Sequence, residues 1–327
     1  DYYRRELYFE IEFYKYLQFK FQEQWLKLKA YANQQGVEII GDIPIYVAFD
    51  SADTWASPQL FQLDETNIPV AVAGCPPDAF SETGQLWGNP LYRWEFHRQQ
   101  GFDWWVKRME HCFRLYDVVR IDHFRGFDEY YSIPYGDLTA ENGHWEKGPG
   151  MELFHTIHHR LGQKRIIAED LGFMTDSVRA LVRESGYPNM RVLEFAFNSK
   201  DAENAGDYLP YNYDKNCVVY TGTHDNETLY SWYQNLEEED RKMVLDYIRK
   251  EDGKTEEICK EIIYLAMSSV ANYCIIPIQD YLGYGNAARM NMPSTLGTNW
   301  KWRLKEGEIK KGLLKEIYRI TQLYGRC

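Results

Sequence analysis

Six short apolar runs separated by helix-like stretches constrain the fold of this chain more than any other feature. They cover residues 37–44, 117–122, 165–170, 191–195, 217–220 and 273–280. Each has the length of a strand. Strands that alternate with helices imply a parallel sheet, because each crossover returns the chain to the same end. Several of the runs finish on or beside an acid. Polar groups collected at the carboxyl ends of parallel strands mark a barrel of the TIM (β/α)8 type. A closed barrel of that type has eight strands. The expectation is therefore an α/β barrel whose first two strands precede residue 1.

The segments between the runs support this. Residues 7–35 carry Leu7, Phe9, Ile11, Phe13, Tyr16, Leu17, Phe21, Trp25, Leu28 and Tyr31. Their spacing is mostly three or four, which predicts one helix or a broken pair. Gly36 is placed to end it as the residue after the cap. Further helices are expected over 152–161, 175–185, 229–250 and 255–271. The stretch between Asp42 and Asp117 is too long for one ordinary connection. It holds Ala73-Gly74-Cys75-Pro76-Pro77-Asp78 and Gly84-Gln85-Leu86-Trp87-Gly88-Asn89-Pro90. Long Gly/Pro-rich insertions on a barrel commonly cover its active site, although a purely decorative loop fits the same composition. The expected organisation is a partial catalytic barrel over 1–327 with an inserted loop subdomain at 50–110.

Charge and composition exclude several classes. The net charge of −12 disfavours a nucleic-acid or anionic-membrane partner. No stretch approaches the roughly 20 apolar residues of a membrane span. The 26 Tyr, 10 Trp and 16 Phe exceed what a core of this size needs, which leaves rings to line a groove. Flat rings with a polar handle suit amphipathic ligands such as sugars. The six cysteines include no C-x-x-C pair, so a metal knuckle is not expected, and a reducing, cytoplasmic compartment is the simpler reading. Cys217 and Cys274 lie in apolar runs as small core residues. In His155-Thr156-Ile157-His158-His159 the first and last imidazoles share a helix face. Without a second ligand cluster this reads as an exposed polar face, and no metal or cofactor is expected.

The candidate chemistry sits in three acids at the ends of successive strand-like runs. In Val118-Val119-Arg120-Ile121-Asp122-His123-Phe124-Arg125-Gly126, residues 120 and 122 share a strand face. A guanidinium beside Asp122 favours its charged form, as a nucleophilic carboxylate requires. Alone, the segment reads first as a structural ion pair. Glu169 follows Ala168 in an apolar run, where desolvation or neighbouring carboxylates would raise its pKa and suit it to donate a proton. Asp170 faces the other way, toward structural hydrogen bonds. Asp225 stands in Thr221-Gly222-Thr223-His224-Asp225-Asn226-Glu227-Thr228 and could stabilise developing positive charge. Glycoside chemistry needs two such acids, a nucleophile or base and a proton donor. His224 could hydrogen-bond a sugar hydroxyl. His123 fits that role or the ordering of a loop.

Taken together these segments resemble the amylomaltases, the 4-α-glucanotransferases of glycoside hydrolase family 77 in the α-amylase superfamily. The resemblance rests on Gly41-Asp42-Ile43-Pro44-Ile45-Tyr46-Val47, Pro76-Pro77-Asp78, Gly84 through Tyr92, Arg120 through Gly126, Ala168-Glu169-Asp170-Leu171-Gly172, Gly222-Thr223-His224-Asp225-Asn226 and Arg289-Met290-Asn291-Met292-Pro293. They follow the family order over nearly the whole chain. The resemblance implies a retaining transfer of α-1,4-glucan segments between maltooligosaccharides. Asp122 would form a covalent glucosyl intermediate, Glu169 would serve as general acid/base and Asp225 would stabilise the transition state. Arg120 and His224 would support them. Trp87, Gln85, Asp78, Tyr92, Asn291 and Asp42 would contact substrate. In a retaining enzyme the two catalytic carboxyls lie about 5–5.5 Å apart.

Two departures accompany the resemblance. Family members carry a substantial region before the first matching segment, including the opening barrel strands, so a missing N-terminal part is an expected partner. Ser294 stands where the family usually has Gly. Rival readings are an α-amylase-like hydrolase, a metal-dependent barrel hydrolase and a non-catalytic, truncated glucan-binding fragment.

Overall fold

The computed structural model describes residues 1–327 except 78–80, 173, 202–204, 294, 296 and 327. Asp78 and Ser294, singled out above, therefore lie outside the described residues. The chain divides into two compact units, Asp1–Tyr187 and Pro188–Cys327.

In chain order the strands are β1 (Ile40–Ile43), β2 (Ala71–Cys75), β3 (Gln85–Pro90), β4 (Val118–Ile121), β5 (Glu129–Pro134), β6 (His144–Lys147), β7 (Ile166–Ala168), β8 (Asn189–Val192), β9 (Cys217–Tyr220) and β10 (Tyr273–Ile275). The six apolar runs of the sequence are β1, β4, β7, β8, β9 and β10. In the first unit β4 lies between β1 and β7, and both pairings are parallel. In the second unit β9 lies between β8 and β10, again in parallel. Every residue of β4 and of β9 is buried. Covered on both faces, these central strands read as continuous apolar sequence rather than as alternation.

The long stretch after β1 is more than loop. β2 pairs antiparallel with β3 and with β5, and β5 pairs with β6, giving the order β3-β2-β5-β6. Half of this sheet comes from residues 129–147, after β4. Antiparallel strands built from residues such as Glu129-Tyr130-Tyr131-Ser132 carry a weaker apolar signal than buried parallel ones, and sequence periodicity passes over them.

The helices follow their side-chain patterns. Over 7–35 the chain is one helix, Tyr8–Gln34, preceded by the short helix Tyr2–Glu6, and Gly36 adopts φ +75° after it, a conformation that glycine reaches without a steric penalty. Asp103–Leu115 buries Trp105, Val106, Met109 and Cys112, one face at helical spacing. Met151–Leu161 buries Leu153, Phe154 and Ile157. Asp176–Ser185 starts at Thr175, whose hydroxyl accepts from the amide of Val178, a standard N-cap. Phe124, beyond β4, stacks on Phe154 with ring centroids 5.0 Å apart, and Phe127 meets Trp105 at 5.2 Å. The core of the first unit thus lies directly under the end of β4.

Expected elements differ in extent at three places, the first being the run 191–195, which is strand only to Val192 and then a 3-10 turn over Leu193–Ala196. The helix foreseen over 229–250 is two helices, Leu229–Asn235 and Glu238–Ile248. Leu236 and Glu237 leave helical geometry, and Glu238, Glu239 and Asp240 begin the second helix, where its N-terminal dipole favours acids. The run 273–280 is strand only to Ile275, and Ile278–Leu282 is a short helix. His158 is half-buried and bonds the hydroxyl of Tyr187 at 2.7 Å, so it is tied to the structure and is not part of an exposed polar face. Among the described residues no helix is long and apolar enough to cross a membrane.

Candidate active site

In the first unit the parallel ladder sets the site. Ile43 pairs with Ile121, and Ile121 with Ala168. Backbone bonds continue past both pairs: Asp122 donates to the Ile43 carbonyl at 2.9 Å and Glu169 to the Ile121 carbonyl at 3.1 Å. Asp122 and Glu169 are therefore the next register neighbours on adjacent strands, where backbones run about 4.8 Å apart. Asp42 on β1 is the register partner of Arg120 on β4.

Arg120 joins these acids. Its Nη1 lies 2.6 Å from Asp42 Oδ1 and 3.0 Å from Asp122 Oδ1. Its side chain is 9% exposed, whereas those of Asp42 and Asp122 are 41% and 42% exposed. A buried cation thus presents two carboxylates that remain open to a ligand. Asp42, Asp122 and nearby Glu169 hold Arg120 in its charged form against the cost of burial.

Glu169 is buried, and its carboxyl accepts two backbone amides, from His123 at 2.6 Å and Leu171 at 2.7 Å. Its pKa is pushed up to about 7, first by desolvation and then by the charge of Asp122, with Arg120 opposing. Two adjacent carboxyls with different environments separate into an ionised and a protonatable member. His123 adopts the left-handed conformation, φ 52°, and this turn brings its amide to Glu169. Its ring packs edge-on against Trp87, centroids 4.8 Å apart, and burial drives its pKa down to about 3. The imidazole is thus neutral. Trp87 on β3 is 36% exposed and donates to Gln85 Oε1 at 3.1 Å. The antiparallel sheet therefore brings an aromatic face to the strand-end acids.

Tyr92 does not line a groove. It is 1% exposed, its hydroxyl donates to the Ile45 carbonyl at 2.7 Å, and it also bonds Arg108. Six aromatic or imidazole rings surround it, among them Tyr46, Phe61 and Trp105. A family-motif position there carries a core residue, not an exposed contact.

In the second unit Asp225 follows β9 on an irregular segment. Asn291 Nδ2 donates to its Oδ1 at 2.6 Å, and His224 Nε2 lies 3.4 Å from its Oδ2. Arg289 donates to the Asp225 carbonyl at 2.6 Å, and the Asn291 amide to the His224 carbonyl at 3.0 Å. The structure thus brings together His224, Asp225 and Asn291, although 66 positions separate the last two. Trp300 packs on His224 with centroids 5.1 Å apart. Nothing in the local pattern near Trp300 marks it, since the contact depends on the fold of 289–300. Among the described residues no group of three His, Cys, Asp or Glu could hold a metal ion.

Paired carboxyls at adjacent parallel-strand ends, one ion-paired and one protonatable, together with an exposed tryptophan, define an acid-pair site on an α/β scaffold of the kind that glycan-processing enzymes use. The chain belongs to glycoside hydrolase family 77, the 4-alpha-glucanotransferases, whose family model matches residues 1–310. It is 47% identical to a 4-alpha-glucanotransferase of Clostridium butyricum over 99% of this chain and 66% of that protein. Identity to a 4-alpha-glucanotransferase of Streptococcus pneumoniae is 46%, over 99% of this chain and 63% of that protein. A solved amylomaltase from Streptococcus agalactiae in complex with acarbose superposes with a TM-score of 0.94 at 39% identity, over 99% of this chain and 64% of that one. The chain therefore spans just under two thirds of the length of the relatives it matches.

Proposed function

We propose that the protein is a retaining 4-α-glucanotransferase that moves α-1,4-glucan segments between maltooligosaccharides, and that its parallel strands belong to a TIM-type (β/α)8 barrel over 1–327 with an active-site insertion at 50–110. The observation that carries this reading is the register pair Asp122–Glu169, with Arg120 on one member and backbone amides on the other. The activity is proposed by similarity to relatives of which this chain spans about two thirds.

Asp122 attacks the anomeric carbon as the glycosidic bond breaks, and Glu169 delivers its proton to the departing oxygen. The product is a covalent glucosyl ester on Asp122. Glu169, now ionised, takes the proton from a sugar hydroxyl of the acceptor as that oxygen displaces the ester. Arg120 spreads positive charge over the Asp42–Asp122 side, and Asp225 opposes the oxocarbenium-like charge of the transition state. Trp87, Gln85, Asp42, Asn291 and His224 hold sugar rings and hydroxyls. Asp78 belongs to the same proposed set. Acarbose binding by the streptococcal relative supports a glucan-shaped ligand. The free thiols of Cys112, Cys259 and Cys274 suit a reducing cytoplasm.

Maltotriose supplied alone tests the reading. Longer oligosaccharides together with glucose, at constant total reducing ends, are expected. A steady rise in reducing ends identifies a hydrolase instead, and binding without turnover identifies a glucan-binding remnant.

A further inference from the structure

Two buried carboxyls support the segment that carries Asp225, and neither belongs to the catalytic set. Asp280, just past β10, is 4% exposed. Its Oδ2 accepts from the Thr221 hydroxyl at 2.6 Å and its Oδ1 from the Leu229 amide at 2.9 Å. One side chain thereby ties both ends of residues 221–229. Glu194, just past β8, is also buried, and its amide donates to the Thr221 carbonyl at 3.1 Å.

The middle of the segment rests on the Glu194 carboxyl. The Asn226 side chain bonds it. Oδ1 of the same Asn226 accepts from the Thr223 amide at 2.9 Å and the Thr223 hydroxyl at 2.7 Å. Asn226 thus links Glu194 to the turn that carries His224 and Asp225. Gly222 lies so close that a Cβ there would stand 2.7 Å from Glu194 Oε1. That oxygen is buried and has no hydrogen-bond partner among the described residues. Desolvation first, then Asp280 and Glu227, push the Glu194 carboxyl well above the usual range, with Arg289 and Asn226 opposing. A carboxylic acid here keeps an acceptor for Asn226 and, being neutral, avoids a second buried charge beside Asp280.

We propose that Glu194 is a positioning residue: through Asn226 and its contact with Gly222 it sets the turn that places Asp225. The proposal rests on the reading of Asp225 given above. It makes no use of substrate contact by Glu194 itself.

The test compares Glu194→Gln, Glu194→Ala, Gly222→Ala and the double variant in the full-length protein. Four quantities are measured: kcat and KM for maltooligosaccharide transfer, amide hydrogen exchange over 222–226, and the thermal midpoint as a folding control. Glu194→Ala is expected to lower kcat about 10- to 100-fold with KM nearly unchanged, the scale of a misplacement of about 1 Å, and to speed exchange in the turn. Glu194→Gln keeps the shape and the neutral acceptor and restores most of both. Gly222→Ala impairs kcat alone, and less so when Glu194 is truncated, because the new methyl then occupies vacated space. Unchanged kcat and exchange in folded Glu194→Ala, or losses in the double variant that simply multiply, overturn the proposal. If Glu194→Ala does not fold, the same decision falls to Gly222→Ala, for which unchanged exchange overturns it. Absence of transfer by the wild-type protein counts against the functional reading alone, while exchange over 222–226 still decides the role of Glu194.

Discussion

The acids of the two units are held in place by different means. Asp122 and Glu169 each follow a strand by one residue, and their amides continue the ladder of that strand. Asp225 lies five residues past Tyr220 and owes its orientation to Asn291, Arg289 and His224. A ladder positions a side chain through local sequence and register. A loop acid needs partners that the rest of the unit delivers. The first arrangement sets an acid pair by strand register, and the second sets an acid by side chains from residues 224 and 289–291.

Removing the proposed strand-borne nucleophile should have the largest effect. Asp122→Asn is expected to reduce transfer by more than about 10⁴-fold while glucan binding persists, since a missing nucleophile leaves only residual catalysis. Substantial transfer by this variant would remove Asp122 from the role. Glu169→Gln comes next, with a loss of about 10²- to 10⁴-fold for glucan donors and far less for glucosyl fluoride, whose leaving group needs no proton. Equal losses for the two donors contradict the acid assignment.

The pH profile gives the same assignment a sign. Burial and Asp122 raise the Glu169 carboxyl to about 7, so the acid form predominates below that value and disappears as pH rises through it. The rate constant kcat/KM for glucan donors is expected to fall above about pH 7 in the free enzyme, and Glu169→Gln should flatten that limb. A limb that survives in Glu169→Gln belongs to another group.

Arg120→Met tests the cation that joins β1 and β4. It leaves Asp42 and Asp122 side by side without compensation, and about 10- to 100-fold is the expected loss in kcat. That is about 1.4–2.7 kcal/mol in the barrier, measured with a competent fluoride donor so that Glu169 is not limiting. A loss confined to KM would make Arg120 a ligand contact only. The smallest effect is expected on the loop side. Asn291→Ala frees Asp225 Oδ1, and about a tenfold fall in kcat is expected, about 1.4 kcal/mol. A fall as deep as that of Glu169→Gln would show that the loop acid is as demanding of geometry as the strand pair, and would end the contrast drawn between them.

Much of this was legible in the chain. Arg120 and Asp122 share a face because strand residues alternate with period two, and the ion pair confirms their contact. Glu169 follows three apolar residues whose burial explains its raised pKa. The antiparallel sheet was not legible, because β5 and β6 carry tyrosine, serine and charged residues whose pairing partners lie far away in sequence. Tyr92 illustrates the opposite error. Its position fits the family motif, yet burial among six rings makes it a core residue. Glu194 sits within Leu193-Glu194-Phe195, and nothing in that triplet distinguishes a buried acid from one exposed on a strand end.

The sequence by itself determined the six apolar parallel strands, the helices between them and the identity of the strand-end acids, because each is written in local periodicity and residue type. Only the tertiary structure decided which amides meet Glu169, that Trp87 reaches His123, and that Asn291 and Arg289 fix Asp225. Those are contacts between residues tens of positions apart, set by register and packing rather than by any neighbour along the chain.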